Sequence, residues 1–285
     1  MLPLPLLLVS LAVLIAAAWC DLKTLEVPDW INYSGIAAGI GIHAIYSSQQ
    51  WNVTPLTSSA IGLGIGFALA CLMFYTGQWG GGDAKLLMAM GALIGFQYDK
   101  FSDLASFLIN LVFAGGAWTI AMSIFYAIRK RHAVWNTFLA LRNQHPYARV
   151  TLSSTITAAL LVIAAIAISL VRTELLILAA LVLLSSYLVL FIKSTELSAM
   201  HHWVSPNKLT EGDWLVHTIK IGNKQFNPPR LGLEKKDLKQ LKHWYHQKKI
   251  DTVLVKYGVP FTPAFLISFL VTIAVGNGII WIAFG

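Results

Sequence analysis

The sequence predicts an all-α polytopic membrane protein of about eight transmembrane helices with a small α+β cytoplasmic subdomain. Three observations carry this. Of 285 residues, 56% are hydrophobic and only 12% are charged, about half the charged share of a soluble domain. Most charges fall in two blocks, 129–149 and 193–256. Elsewhere the chain is built from apolar runs of about the 20 residues that carry a helix across a bilayer.

The expected spans are approximately 2–19, 30–46, 56–76, 84–97, 104–128, 155–171, 174–192 and 262–284. The first is read as a retained helix. It ends in Ala16-Ala17-Ala18, but no Lys or Arg precedes Lys23, whereas a secretory signal has a basic n-region. Trp19 before Cys20 also argues against a lipoprotein signal. With the N-terminus outside, the inner segments hold 19 of the 21 Lys and Arg residues and the outer ones only Lys100 and Arg172. That asymmetry fixes the orientation. Leaving out the long 193–261 segment, whose charges count for less, still leaves 7 against 2. The net charge of +8 is accounted for by orientation and anionic lipid headgroups, without nucleic acid.

Five segments follow: 1–128, a membrane core that contains Asp21 and Asp83; 129–154, a basic cytoplasmic loop; 155–192, two additional helices; 193–261, a cytoplasmic α+β subdomain; and 262–285, the last helix. In the subdomain, Trp214–Ile221 alternates like a strand and Gly222-Asn223 signals a hairpin turn. Residues 234–249 place Leu238, Leu241 and Trp244/Tyr245 at helical spacing, and Asp251–Val255 reads as a further strand. Its expected role is a small scaffold on the membrane surface.

In a membrane protein an ionisable group near the apolar zone is a functional candidate. Asp21 stands at the inner end of the first span and Asp83 at the inner start of the fourth, so both reach the same boundary. Glu26 and Asp29 lie in the intervening loop. Two carboxyls that converge in a partly dry pocket share one proton. The ionised partner then activates water while the protonated one polarises a peptide carbonyl, which is aspartic protease chemistry. Gly80-Gly81-Gly82 before Asp83 lets the backbone approach another chain closely. The plain alternative is a tight turn with Asp83 as a helix N-cap.

The stretch Gly80-Gly-Gly-Asp-Ala-Lys-Leu-Leu-Met-Ala-Met-Gly-Ala-Leu-Ile-Gly-Phe96 resembles the G-x-G-D-x-K-L signature of the type IV prepilin and archaeal preflagellin peptidases. Asp21-Leu-Lys-Thr-Leu-Glu-Val-Pro28-Asp29, an aspartate with a proline seven positions on, resembles their other signature. The resemblance covers roughly residues 5–125. It implies that Asp21 and Asp83 are the catalytic aspartates and that Gly80, Gly82 and Lys85 are motif residues supporting the loop. For Lys85 the bland reading is an interfacial lysine that snorkels. Farther on, Glu211-Gly-Asp-Trp-Leu-Val, Arg230-Leu-Gly-Leu and Val255-Lys-Tyr-Gly-Val-Pro-Phe-Thr-Pro-Ala-Phe265 resemble the C-terminal region of the archaeal enzymes. Spans six and seven look like an insertion into the family's six-helix core.

The resemblance implies cleavage of pilin-like or archaellin precursors at the cytoplasmic face of the cell membrane, with membrane lipids as the other partners and no cofactor. The bacterial enzymes carry a four-cysteine zinc site and methylate the new N-terminus. This chain has only Cys20 and Cys71, so cleavage without methylation is expected. No metal is expected at His201-His202 or His243/His246 either, since nothing completes a ligand set. Glu26 and Asp29 are candidate contacts for a basic leader, against the alternative of two solvated loop acids. Two rival classes remain: the presenilin group, which places its first aspartate within a helix beside a tyrosine, and a transporter or membrane scaffold. The sequence offers no paired discontinuous helices, a transporter signature.

Overall fold

A computed structural model describes residues 2–97, 103–221, 224–229 and 231–276. Lys100, the Gly222-Asn223 turn, Arg230 and the end of the last expected span lie outside them. The chain divides into two compact units, 1–119 with 203–285, and 120–202.

The first unit opens with α1 (Leu4–Thr24), α2 (Asp29–Gln50), α3 (Thr54–Tyr75) and α4 (Gly81–Ile94), and then enters α5 (Asp103–Arg129). The helices α1 and α2 both outrun their expected limits. Asp21 and Lys23 mark the apolar boundary but not the end of the helix, which closes where Leu25 turns left-handed at φ 58°. Pro28 sets the start of α2 at Asp29.

Helix α4 is the centre of this unit, with Leu86, Leu87, Ala89, Met90, Ala92 and Leu93 all nearly inaccessible. Glycines let α2 and α3 close on it. A Cβ added to Gly62 or Gly91 would collide with the other's carbonyl oxygen, and one on Gly39 would lie 2.7 Å from the Ala92 carbonyl carbon. Lipid tails are as apolar as leucine, so such close van der Waals packing, rather than escape from water, holds membrane helices together. Hydrogen bonds across the seam add to it, Ser59 Oγ donating to the Ala92 carbonyl at 2.8 Å.

The second unit takes the rest of α5, then α6 (Arg131–Arg142), α7 (Tyr147–Ala167) and α8 (Arg172–Ala199). The 129–154 segment, expected as a loop, is thus largely helical. In α6, Val134 and Leu141 are buried while Trp135 is exposed. Helices α7 and α8 are joined by a buried hydrogen bond between Ser154 and Ser186 at 2.9 Å.

Beyond them the first unit resumes with β1 (His201–Val204), β2 (Trp214–Leu215), β3 (Ile219–Ile221), β4 (Lys224–Phe226), α9 (Lys235–His246), β5 (Val253–Lys256) and α10 (Thr262–Val275). One sheet runs in the order β1-β5-β2, and β3 pairs antiparallel with β4. The strand expected over 214–221 is therefore two strands serving two sheets. Residues 203–256 carry their own core of Val204, Leu209, Leu215, Phe226, Leu233, Leu241, Trp244, Val253 and Val255.

Two glycines shape that region. Gly212 and Gly232 adopt φ of 90° and 91°, and a Cβ on Gly232 would strike the Gly212 carbonyl oxygen. The contact is locked by the Gly212 amide donating to the Leu233 carbonyl and the Leu233 amide to the Asp213 carbonyl, both at 2.9 Å. Asp213 Oδ2 in turn accepts from the Thr210 amide at 2.8 Å. Burial lifts the Asp213 carboxyl above its ordinary range, the Thr210 hydrogen bonds opposing it. Gly232→Ala is expected to destabilise this region by about 2 kcal/mol or more. Limited proteolysis across a temperature series checks this, and cleavage within 203–256 setting in no earlier than in the wild type refutes it.

Five helical segments, Leu4–Thr24, Thr54–Tyr75, Asp103–Arg129, Tyr147–Ala167 and Ser169–Ala199, are long and apolar enough to cross a membrane, by length and composition. The other three expected spans are also helical but less clear-cut. Helix α2 carries more polar residues, α4 has 14 residues, and the described part of α10 has 14. Large apolar side chains stand exposed along the long helices, among them Val112, Ile166 and Leu170. Water disfavours such a surface and lipid accepts it. The protein is a helical, multi-pass membrane protein.

Candidate active site

The first turn of α4 carries Asp83. Gly80 is the N-cap, in extended conformation at φ −71° and ψ 163°, with Gly81 and Gly82 as the first helical residues. None of the three glycines has a positive φ, so unusual backbone angles are not what they supply. Gly82 faces Val27 of the α1–α2 link, whose Cβ would lie 3.3 Å from an added methyl. Asn32 of α2, fully buried, donates from Nδ2 to the Gly82 carbonyl at 3.3 Å. Close approach of one motif to the other is the structural role of Gly82.

Asp83 is not the N-cap. No side chain caps α4, and the Asp83 carboxyl turns elsewhere: the hydroxyl of Thr262, the first residue of α10, lies 3.4 Å from its Oδ1. Thr262 meets the other aspartate as well, its amide donating to Asp21 Oδ2 at 2.8 Å. Asp21 lies inside the last turn of α1 and is buried. Two carboxyls from distant parts of the sequence thus converge on one threonine.

The surroundings are aromatic and apolar. Trp79 packs against Phe261 and Phe265 with ring centroids 5.6 and 5.5 Å apart. Trp118 of α5 donates from Nε1 to the Pro260 carbonyl at 2.7 Å. Phe261 sits over Gly115, where an added Cβ would meet its ring at 2.7 Å. Walls of this kind exclude bulk water and strengthen electrostatic effects between the groups inside.

The remaining candidate residues find protein partners. Lys85 Nζ reaches Asp29 Oδ1 at 2.6 Å and lies 5.6 Å from the centre of the Tyr33 ring. The pair clips the first turns of α4 and α2 together, so Lys85 has a partner beyond an interfacial anchor. Both side chains are substantially exposed, and such pairs contribute about 0–1 kcal/mol. Lys85→Ala is accordingly expected to shift the melting temperature of the purified protein by no more than about 3 °C; a larger fall would give the pair a weight that its exposure denies. Glu26 is exposed and accepts from the Thr210 hydroxyl at 3.3 Å. The link after Asp21 therefore touches the 203–256 region.

Sequence reasoning did not single out Thr262, Asn32, Trp79 or Trp118. Thr262 lies in the stretch Pro260-Phe-Thr-Pro263, but a threonine at a helix start between prolines carries no chemical signature of its own. The stretches around Gly212 and Gly232 are separate in sequence, and the structure joins them.

The model of the type IV leader peptidase family matches residues 8–120. The preflagellin peptidase of Methanococcus voltae is 34% identical over 97 residues, 34% of this chain and 41% of that protein. That of Methanocaldococcus jannaschii is 34% identical over 85 residues, 30% of this chain and 36% of that protein. That of Methanococcus maripaludis is 37% identical over 100 residues, 34% and 42%. The chain spans about two fifths of the length of the curated relatives it matches. No solved structure matches it. Both aspartates of the site and the glycines before Asp83 fall inside the residues 8–120 over which the chain is similar to the type IV leader peptidase family.

Proposed function

We propose that this protein is a membrane aspartic endopeptidase that removes the short basic leader from pilin-like or archaellin precursors at the cytoplasmic face of the membrane, without N-methylation. One observation carries the reading: Asp21 and Asp83, each from one of the two signature stretches, meet at Thr262. The preflagellin peptidase names of the relatives support the substrate class.

In the reaction, the ionised aspartate takes a proton from water as the water oxygen attacks the scissile carbonyl carbon. The protonated aspartate donates its hydrogen bond, then its proton, to the carbonyl oxygen. Collapse of the tetrahedral intermediate expels the amine, which takes the proton that came from water, while the hydroxyl formed on the carbonyl oxygen returns its proton to the other aspartate as the product carbonyl reforms. The chemistry needs no cofactor. In this reading α2, α4 and α10 complete eight spans, with the N-terminus outside and the dyad at the inner boundary. Because Asp29 already holds Lys85, a basic leader would compete for it, whereas Glu26 has only a hydroxyl to give up.

The test is cleavage of an archaellin or pilin precursor by the protein in isolated membranes, with the product's new N-terminus read by mass spectrometry. A leader-free product of unmethylated mass supports the reading. An intact precursor counts against the peptidase, and a product 14 Da heavier counts against the absence of methylation, a methyl group replacing one hydrogen being about that mass.

A further inference from the structure

Thr262 is the first helical residue of α10, and the first amides of a helix have no partner within it. Pro263, next in line, has no N–H to give. The Thr262 amide is thus a spare donor of this helix end, and it goes to Asp21, which the Phe261 amide and the Thr262 hydroxyl also reach. The side chain of the same residue reaches Asp83. Thr262 itself is fully buried, and its β-branched side chain is stiff about χ1. The chain leading into it is fixed by the Trp118 hydrogen bond to Pro260 and by Phe261 packed over Gly115 and against Trp79.

The two contacts differ in kind. A backbone amide only donates, so it favours the ionised carboxylate, the stronger acceptor. A hydroxyl donates or accepts as required, so it serves a carboxyl in either protonation state. We propose that Thr262 is the positioning residue of the pair, holding Asp21 as the carboxylate with its amide while its hydroxyl orients Asp83 and accommodates the shared proton there. This rests on the reading of Asp21 and Asp83 as the catalytic pair. Thr262 touches neither substrate nor water in this scheme and acts through the two aspartates.

Thr262→Val keeps shape, branching and the amide but lacks the hydroxyl. Thr262→Ser restores the hydroxyl, and Thr262→Ala removes it without a second methyl, so a packing defect peculiar to valine does not decide the outcome. The assay is precursor cleavage in membranes, with kcat and KM determined across pH. Valine and alanine are each expected to lower kcat about 10-fold to 100-fold, the rate equivalent of one hydrogen bond to a carboxyl. KM should stay within about twofold, since substrate binding is untouched, and the pH profile should change shape because the pair's apparent pKa values belong to the coupled groups. Serine should recover most of the rate and the wild-type profile. The role is overturned if valine and alanine match the wild type in kcat and profile, or if serine is as slow as valine. A wild type that cleaves nothing, or Asp21→Asn and Asp83→Asn proteins that still cleave, would instead remove the protease reading itself.

Discussion

Asp21→Asn and Asp83→Asn are each expected to reduce precursor cleavage by about 10² to 10⁴-fold or more, the range that general acid–base groups supply. Asparagine keeps the outline of the side chain and can still accept from Thr262 through its carbonyl oxygen, so position is conserved while ionisation is lost. The double variant should be little slower than either single one, because groups that act as a unit are strongly non-additive. Quantitative cleavage assays in membranes, with protein levels matched by blotting, give the comparison. If either single variant retains more than about a tenth of the wild-type rate, that carboxyl is not supplying the acid–base step.

A second large effect concerns the seam between α3 and α4. Gly62 and Gly91 face each other backbone to backbone, each blocking any side chain on the other. Since α4 is packed on all sides by its neighbours, the helices must separate to admit a larger residue. Gly91→Val is expected to destabilise the first unit by about 3 kcal/mol or more, the upper part of the range for overpacking, and to abolish cleavage by displacing Asp83. The melting temperature of the purified protein and its fluorescence size-exclusion profile report this. Gly64, with open space around its missing Cβ, serves as the control, since Gly64→Ala leaves both unchanged. A Gly91→Val protein that melts like the wild type would mean that the seam is looser than its geometry.

Much of this was readable from residue order. Apolar runs expose helices because a lipid-facing helix must be apolar along its whole length, and all eight runs are largely helical in their described parts. Asp21 and Asp83 stood out because charge is scarce there. The limits of α1 were less legible: Asp21 and Lys23 look like an exit from the membrane, yet the backbone hydrogen bonds carry the helix on to Thr24. The 129–154 segment reads as a loop from its charges, but an amphipathic helix accommodates charges on one face and buries Val134 and Leu141 on the other. Asn32 and Thr262 were out of reach for a different reason. Each is an ordinary polar residue whose importance lies in contacts with residues far away in sequence, Gly82 for one and the two aspartates for the other. Periodicity reports which side of a helix is apolar and says nothing about which distant helix end it meets.

At 14 residues, α4 rises only about 21 Å at 1.5 Å per residue, against a hydrocarbon core of about 30 Å. Mismatch of that size is relieved by thinning the bilayer or by bringing polar backbone and water down to the helix end. The N-terminal end of this short helix carries Asp83. A hydrolase buried among lipid tails must otherwise wait for its second reactant, water, to cross an oily barrier. If α4 spans the membrane as proposed, its shortness would bring water down to the helix end, so the supply of water to the reaction would depend on helix length as much as on the carboxyls themselves.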